Sequence, residues 1–407
     1  MAPSSRPNAR SALAGTCPSR AQLVPVGIPP GLWAACILAS CAPADPSDSP
    51  KVLATDPAEF RALGYTDWDD TGDETPLLGV TQYSQNEAVR GVNLYTDQER
   101  TCLALDMEGR ELHRWTVPDH DQVECFELLA DGSIVVLSVD QGVSRLDLDS
   151  QVTWRADVAA HHDLAVLPGG EVIVPTHREI THAGRRVRFD ELTHLDNNGE
   201  VISSWDSHGA KEILAQHHAP HPLDSPADSP TETVYDFYHL NAVEVLPSEI
   251  SGFPATSKLL CLRNVDLLVI LSPDYSEVLW SFGPGVLDQP HSPTLTPEGR
   301  ILVFDNGRNR GHSRLVEIDP LTDTVAWSWK AAPPESFFSP IRGACQRLSG
   351  GHTLVTESER GRVFELNAAG ERVWEFWSPL IVDGQRRRIY RMQRVLPSHV
   401  TSWLQDR

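Results

Sequence analysis

Residues 291–330 have the sequence HSPTLTPEGRILVFDNGRNRGHSRLVEIDPLTDTVAWSWK, in which short apolar segments are separated by Pro, Gly, Asn and Asp. Apolar alternation of this length is typical of β-strands, and Pro-Glu-Gly and Asp-Asn-Gly supply the turns between them. The last segment carries Trp327 and Trp329. Four strands within forty residues correspond to one blade of a β-propeller.

The tryptophan segment recurs along the chain. Its first tryptophans are Trp115, Trp154, Trp205, Trp280, Trp327 and Trp374. Their spacings are 39, 51, 75, 47 and 47 residues. A period of about 40–50 residues that contains only short β segments predicts one blade per repeat.

A strand, a tight turn and a second strand precede every tryptophan segment except the first, as in FELLADGSIVVLS and QRLSGGHTLVTES. The C-terminal stretch RIYRMQRVLPSH (388–399) supplies the missing strand. We therefore predict an all-β, six-bladed β-propeller over residues 76–400, with its first blade closed by the C-terminal strand. The 75-residue gap predicts an insertion at about 206–234, either a long loop or a short helix.

Composition sets the class of protein. The chain has 407 residues, of which 40% are hydrophobic, enough to bury a core. It holds 31 Pro and 27 Gly, more than long helices tolerate. Acidic residues outnumber basic ones 56 to 34, giving a formal net charge of −22. That balance excludes a generic nucleic-acid binder, so no nucleic-acid partner is expected.

The N-terminal segment resembles an export signal. Residues 1–40 contain three Arg, no acidic residue and an apolar run that ends in Leu38-Ala39-Ser40-Cys41. Such an ending resembles a bacterial lipobox, whose Cys becomes the lipidated first residue. An ordinary buried helix is the alternative, and Pro29-Pro30 disfavours it. We expect residues 1–40 to be an export and lipoprotein signal with lipidation at Cys41.

This signal carries an expectation about location. The protein would be extracytoplasmic and lipid-anchored to a bacterial membrane. Ala42 after the lipidated Cys resembles the outer-membrane choice in a cell with two membranes. Residues 41–75 are rich in Pro, Asp and Ser and are expected to form a disordered tether.

The body of the chain contains four widely spaced cysteines and no CxxC pair. They are Cys102, Cys125, Cys261 and Cys345. A zinc site is therefore not expected, and no metal or cofactor motif stands out. An exported protein could pair some of these thiols, and the spacing does not say which.

Polar residues recur at one position of the repeat. Aligned on the first turn, the six equivalent positions are Glu124, His162, Asn241, His291, Gly343 and Arg391. His239 lies two residues before Asn241 and so shares its face of the strand. If this strand is the innermost of each blade, these side chains point into the central channel or its mouth.

A ring of imidazoles and guanidiniums suits anionic oxygens. Arg308 and Arg310 follow the turn Asp305-Asn306-Gly307, and antiparallel pairing brings that loop to the same end of the sheet as His291. The alternative is that this segment is only a turn. His217, His218 and His221 of the insertion could cap the mouth, or could belong to a solvated loop.

The order YDFYHLNAV, QPHSPTL, VFDNGRNRG, RVFEL and IYRMQRV resembles the bacterial arylsulfotransferase family over residues 79–398. The resemblance implies an exported six-bladed propeller that moves a sulfuryl group from an aryl sulfate to a phenol, through a sulfated histidine and without a nucleotide donor. It matches the two family histidines to His239 and His291. The family arginine corresponds best to Arg310, and the C-terminal Tyr-Arg to Tyr390-Arg391.

One difference from the family pattern leaves the identity of the nucleophile open. The best-known branch carries a late histidine in the strand equivalent to GRVFEL, where this chain has Arg362 and Val363. His352 lies about ten residues earlier, in a Gly-Gly-His-Thr turn. The expected late nucleophile thus looks absent. His162, His239 or His291 takes the sulfuryl group, or transfer is direct, or the protein binds without turnover.

The site hypothesis has two sets of residues. The predicted catalytic residues are His239, His291 and Arg310. The predicted substrate-binding residues are Arg308, Asn306, Asn241, His162 and Arg391. Two rival functions stay open: a non-catalytic surface propeller that binds a protein, glycan or anionic ligand, and a quinone-dependent dehydrogenase, for which calcium-ligand and cofactor-stacking patterns are not apparent.

Overall fold

Most strands of the described residues are antiparallel and coincide with apolar segments that are separated by turn residues. The structure is a computed structural model that describes residues 68–70, 77–227, 233–400 and 403. The predicted signal at 1–40, Cys41 and most of the predicted tether lie outside these residues. Among the described residues, no helix has the length and apolar character to cross a bilayer.

Six sheets of four or five strands follow one another along the chain, which confirms the predicted six-bladed β-propeller. In blades 2 to 5 the four main strands are hydrogen-bonded in sequence order from the channel outward, whereas blades 1 and 6 each include one strand from a distant part of the chain. Blade 1 contains Val92–Thr96, Thr101–Leu105 and Glu111–Thr116, with Met392–Val395 as its innermost strand. Blade 2 contains Val123–Leu128, Ile134–Ser138, Gly142–Leu146 and Val152–Ala156. Blade 3 contains Ala165–Val166, Val172–His182, Arg185–Leu195 and Val201–Asp206.

The other three blades repeat the plan. Blade 4 contains Leu240–Val245, Lys258–Leu262, Leu267–Leu271 and Val278–Phe282. Blade 5 contains His291–Leu295, Ile301–Asp305, Arg314–Asp319 and Thr324–Trp329. Blade 6 contains Ala344–Arg347, Thr353–Glu357, Arg362–Leu366 and Arg372–Trp377, with Gly79–Tyr83 as a fifth, outer strand.

The C-terminal strand closes the ring, as the sequence predicted. Met392–Val395 pairs antiparallel with Val92–Thr96, joining the end of the chain to the first blade. Arg394 of this strand donates from Nε to Asn93 Oδ1 at 2.8 Å and also forms an ion pair with the buried carboxylate of Glu365. Closure removes the free inner edge that the first blade would otherwise present.

Outer-strand tryptophans connect neighbouring blades. Trp374 donates from Nε1 to Met107 O at 2.9 Å, and Trp329 donates to Gly370 O at 3.3 Å. Trp280 donates to Asp323 Oδ1 at 2.7 Å. Each partner lies in an outer turn of the next blade. The tryptophan repeat therefore marks the contacts between blades.

The region between the inner strands of blades 3 and 4 holds a long hairpin and a parallel strand, which the repeat pattern did not predict, and the insertion, which it did. In blade 3, Val172–His182 and Arg185–Leu195 form a long hairpin, and Val234–Asp236 pairs in parallel with its second strand. The insertion contains the short α-helix Lys211–Leu214 and the 3₁₀-helix Pro222–Asp224. Further 3₁₀-helices are Arg263–Val265, Pro334–Ser336, Ser349–Gly351, Ser358–Arg360 and Pro397–His399.

A small accessory sheet includes part of the expected tether. Trp68–Asp70 pairs with Gln385–Arg387, which also pairs with Ile381–Val382. Backbone pairing over three residues needs no apolar pattern, so composition alone did not indicate it. Cys102, Cys125, Cys261 and Cys345 are buried free thiols.

Candidate functional site

Three histidines meet where the inner strands of blades 3, 4 and 5 begin. They are His162, His239 and His291, between 2% and 6% exposed. The rings of His162 and His239 lie edge to face with centroids 4.7 Å apart. His162 and His239 have left-handed backbones, with φ of 67° and 55°. These turns lie where the chain passes from one blade to the inner strand of the next, and so bring the side chains together.

His239 forms a dyad with a carboxylate. Its Nδ1–H donates to Asp236 Oδ2 at 2.5 Å, and Asp236 is the last residue of the parallel strand Val234–Asp236. Burial has the largest influence on the His239 pKa and lowers it, whereas Asp236 acts in the opposite direction. Burial acts to raise the Asp236 pKa, but His239 contributes to a net shift downward. An imidazole held by a carboxylate is suited to proton transfer at its free Nε2.

The surroundings of His291 fix its tautomer. Asn306 donates from Nδ2 to Ser339 O at 2.7 Å and to Arg342 O at 2.9 Å, so its Oδ1 faces the imidazole. His291 Nδ1 lies 2.8 Å from that oxygen and 3.3 Å from Gln289 O. Two acceptors require a hydrogen on Nδ1.

The same surroundings keep the His291 ring neutral. Burial, followed by the charge of Arg263, lowers the pKa of His291 well below its usual value. In a neutral ring whose Nδ1 carries the hydrogen, Nε2 holds the lone pair. His291 is therefore prepared to act as a nucleophile at Nε2.

Asn241 holds the segment that leads to His291. Its Nδ2 donates to Pro290 O at 2.9 Å, and the Cys261 thiol contacts the same oxygen at 3.1 Å. Asn241 is 1% exposed, so this contact is internal. Asn241 and Asn306 thus position His291 from two sides.

The predicted arginines have different surroundings. Arg310 Nη2 pairs with the buried Asp305 Oδ2 at 3.1 Å, and Arg314 Nε reaches the same oxygen at 2.7 Å. Arg310 is thus engaged by a structural carboxylate. Arg308 is exposed, with Nη1 3.5 Å from Gln289 Oε1. Arg308 is thus connected to His291 only through Gln289, whose backbone oxygen lies 3.3 Å from His291 Nδ1.

Arg391 lies inside the central channel. Its Nη1 donates to Asp163 Oδ1 at 2.8 Å and its Nη2 to Glu127 Oε1 at 3.3 Å. These residues line a cavity of about 840 Å³ together with Glu244. Burial acts to lower the pKa of Arg391, but Asp163 and Glu127 outweigh it and hold the guanidinium charged. Arg391 therefore joins blades 1, 2 and 3 across the channel.

Sequence reasoning did not select two guanidiniums that act on the histidines. Arg263, 2% exposed, follows the second strand of blade 4 and lowers the pKa of both His239 and His291. Arg342 lowers the pKa of His162, after burial and the neighbouring imidazoles. Arg263 directly follows the apolar strand Lys258–Leu262, and Arg342 directly precedes the aligned Gly343. Both arginines adjoin segments used in the repeat alignment, so they could have been selected from the sequence.

The remaining histidine candidates lie elsewhere. His352 lies in the turn region between the first two strands of blade 6, with Nδ1 2.7 Å from Glu365 Oε1. In the insertion, His221 stacks on Phe237 with centroids 3.8 Å apart and is 2% exposed. His217 Nδ1 lies 2.9 Å from Ser281 Oγ. His221 is thus a packed residue, which corrects the expectation of a cap or a solvated loop at that position.

Comparisons with known proteins agree with the fold and identify a family. The profile of the arylsulfotransferase (ASST) family matches residues 126–379. A search of curated proteins finds no match. Among solved structures, the chain is similar to a protein of unknown function from Bacteroides caccae, at 11% identity and a TM-score of 0.51, over 75% of this chain and 99% of that chain.

Two further solved structures have lower scores. One is described as a streptogramin B lyase, at 10% identity and a TM-score of 0.46, over 81% of this chain and 97% of that chain. The other is described as the Dos1 propeller, at 10% identity and a TM-score of 0.41, over 73% and 76%. At such identities the likeness concerns the fold alone.

Proposed function

Because the chain belongs to the arylsulfotransferase family, we propose that it transfers a sulfuryl group from an aryl sulfate to a phenol at the cluster of His162, His239 and His291. The observation that carries this proposal is the fixed tautomer of His291. Its Nδ1–H is held by Asn306 Oδ1 at 2.8 Å, which leaves Nε2 as the free nitrogen.

In the first half-reaction, His291 Nε2 attacks sulfur, the N–S bond forms and the S–O bond to the donor phenol breaks. The ring becomes cationic, and Asn306 Oδ1 stabilises that charge at Nδ1–H. The donor phenol leaves as a phenolate, and it takes a proton from His239 only when His239 still holds the proton that the acceptor delivered in the preceding turnover. Arg263 and Arg308 supply positive charge for the sulfuryl oxygens.

In the second half-reaction, the acceptor phenol gives its proton to His239 Nε2. Its oxygen attacks sulfur, the O–S bond forms and the N–S bond breaks, so that His291 returns to its neutral form. Asp236 stabilises the imidazolium of His239 through the 2.5 Å hydrogen bond. The two histidines therefore have separate roles, one as nucleophile and one as acid and base.

The test is sulfuryl transfer from 4-nitrophenyl sulfate to phenol, measured as the release of 4-nitrophenol. His291→Gln should abolish exchange, and His239→Gln should lower it about a hundredfold or more. His352→Gln is the matched control, because His352 also contacts a carboxylate but lies outside the cluster. Full activity in His291→Gln would contradict the proposal. No turnover by the parent, together with saturable aryl sulfate binding, would instead favour a non-catalytic propeller.

We also propose that the protein is exported and anchored to a membrane through Cys41. The proposal depends on the Leu-Ala-Ser-Cys sequence at 38–41. Expression in a bacterial host followed by fractionation tests it. The parent should be found with the membranes, and Cys41→Ser should be released or remain unprocessed. Equal membrane recovery of the two proteins would contradict lipidation at this residue.

A further inference from the structure

A groove lies on the face of the propeller opposite the histidine cluster. The inner strand His291–Leu295 begins at that cluster and runs to the turn that holds Pro297 and Glu298, so this turn lies on the opposite face. The groove is lined by this turn, by the equivalent turn of blade 6 and by the outer strand of blade 5, and its volume is about 750 Å³. Small-molecule sites have volumes of about 300–1,000 Å³. None of the three clustered histidines lines the groove.

One wall of the groove is a guanidinium stacked on an indole. Arg347 Cζ lies 4.7 Å from the centroid of the Trp327 ring. Arg347 also forms an ion pair with Glu317 and donates from Nη1 to Gly351 O at 3.3 Å. These contacts come from two blades and hold the wall in place before a ligand arrives, which lowers the entropic cost of binding.

The carboxylate of Glu317 serves two guanidiniums. Besides Arg347 it accepts from Arg300, whose Nη1 lies 3.1 Å from Glu317 Oε1. The side chain of Arg300 is 43% exposed, and Glu317 is its one ion-pair partner among the described residues. Because a guanidinium has several N–H donors in a planar fork, Arg300 keeps donors for a second acceptor.

The ionised groups of the groove leave a positive charge. Arg90 also lines the groove, is exposed and forms no ion pair with any described residue. Arg394 is balanced by the buried Glu365. Arg90 and the two guanidiniums at Glu317 are three positive charges against the two carboxylates of Glu298 and Glu317, which leaves one positive charge in a chain whose formal net charge is −22. A local positive charge of this kind attracts anions.

The rest of the lining is mostly apolar. Leu396 is 53% exposed, and Val89 and Leu348 line the same groove and are partly buried. The indole of Trp327 is also partly buried there. An exposed leucine in the same groove as an indole offers apolar contact area for a flat ring.

We propose that this groove binds an aryl anion, an aromatic ring that carries a carboxylate or sulfonate group. The anionic oxygens accept from Arg300 and Arg90, because a planar guanidinium matches a pair of carboxylate oxygens. The ring contacts Trp327 and Leu396. The site is separate from the histidine cluster, and the proposal does not depend on sulfuryl transfer.

The first test is calorimetric titration of the full chain with 4-phenylbenzoate, an aryl anion that has no sulfuryl group to donate. Binding should be saturable and should weaken as NaCl is raised from about 20 to about 300 mM. The neutral 4-phenylbenzamide has nearly the same shape and should bind about tenfold more weakly or worse, because it lacks the charge that the guanidiniums recognise. An absence of saturable binding, or equal affinity for the amide, would overturn the proposal.

Substitutions locate the bound ligand. Arg300→Gln and Leu396→Ser should each weaken 4-phenylbenzoate binding about tenfold, and both positions are exposed, so the fold should tolerate the changes. Arg114→Gln is the matched control, because Arg114 is also a half-exposed arginine paired with a glutamate but lies on the outer strand of blade 1. His291→Gln should bind like the parent. Parent-like affinity in Arg300→Gln, or weakened affinity in His291→Gln, would place the ligand elsewhere and overturn the proposal.

A second copy of the chain is the other occupant that the exposed Leu396 could attract. Sedimentation at the concentration of the titration should show a monomer for both the parent and Leu396→Ser. A dimer that Leu396→Ser dissociates would show that the groove is a contact between copies and would overturn the proposal. Sulfuryl transfer by Arg300→Gln should equal that of the parent, so the failure of this site and the failure of the proposed function are separate outcomes.

Discussion

Replacing Asn306 with Ala tests whether this side chain positions His291 in addition to stabilising the fold. Asn306 makes three buried contacts: Oδ1 to His291 Nδ1 at 2.8 Å, Nδ2 to Ser339 O at 2.7 Å and Nδ2 to Arg342 O at 2.9 Å. At about 1 kcal/mol for each bond lost, the free energy of unfolding should fall by about 3 kcal/mol. Urea unfolding measures that loss.

The effect on activity should be larger than the effect on stability. Without Asn306 Oδ1, the Nδ1–H tautomer of His291 loses its principal acceptor and the ring is free to rotate. We expect sulfuryl transfer to fall about a hundredfold or more, the range seen when the partner that orients a histidine is removed. The assay is the exchange of 4-nitrophenyl sulfate with phenol under conditions in which the variant is folded.

Ser313→Ala is the matched control for Asn306→Ala. Ser313 Oγ donates to Asn306 O at 2.8 Å and accepts from Ser339 N at 2.9 Å, so it supports the same loop without touching the imidazole. Its loss should lower stability by about 2 kcal/mol and leave transfer within a few-fold of the parent. If Asn306→Ala kept parent-like turnover, or if Ser313→Ala lost activity equally, the tautomer argument would be refuted.

Three further predictions concern the fold. Trp374→Ala should lower the free energy of unfolding by about 3–5 kcal/mol, whereas Val325→Ala at an exposed outer position should change it little; similar midpoints in urea would contradict the blade contact. Deleting residues 389–407 removes the closing strand, so size-exclusion chromatography should show aggregates, and a stable monomer would contradict closure. Burial raises the pKa of Glu244 from 4.5 to about 7. The folded state then binds this proton more tightly than the unfolded state does. The stabilisation from protonated Glu244 is present below pH 4.5 and is lost as pH rises from 4.5 to about 7. Glu244→Gln should therefore gain about 3 kcal/mol over the parent between pH 4.5 and 8, and a pH-independent difference would count against it.

The architecture could be predicted because it depends on local signals that repeat. Turn residues and alternation set the strands, and each tryptophan marks an outer strand. Trp374 shows why the marking is regular, since its indole donates to Met107 O of the next blade. The first tryptophan segment has no strand–turn–strand unit before it, so the inner strand of blade 1 had to come from the C-terminal part of the chain.

The partners of the site residues could not be predicted in the same way. Alignment placed His162 and His291 at equivalent positions and His239 two residues before Asn241 on the same face, because side-chain direction follows the strand period. Which carboxylate pairs with which guanidinium depends on three-dimensional distances. Arg310 pairs with Asp305 next to its own loop. Asp236, three residues before His239, contacts it at the end of the parallel strand that joins blade 3.

The proposed mechanism requires that His291 carries the sulfuryl group. Mass spectrometry of the protein quenched after incubation with 4-nitrophenyl sulfate, without acceptor, tests it most directly. We expect a sulfated peptide containing His291, absent from His291→Gln and discharged when phenol is added. A sulfated peptide that maps to another residue, or a protein that transfers sulfuryl groups without ever becoming modified, would contradict it.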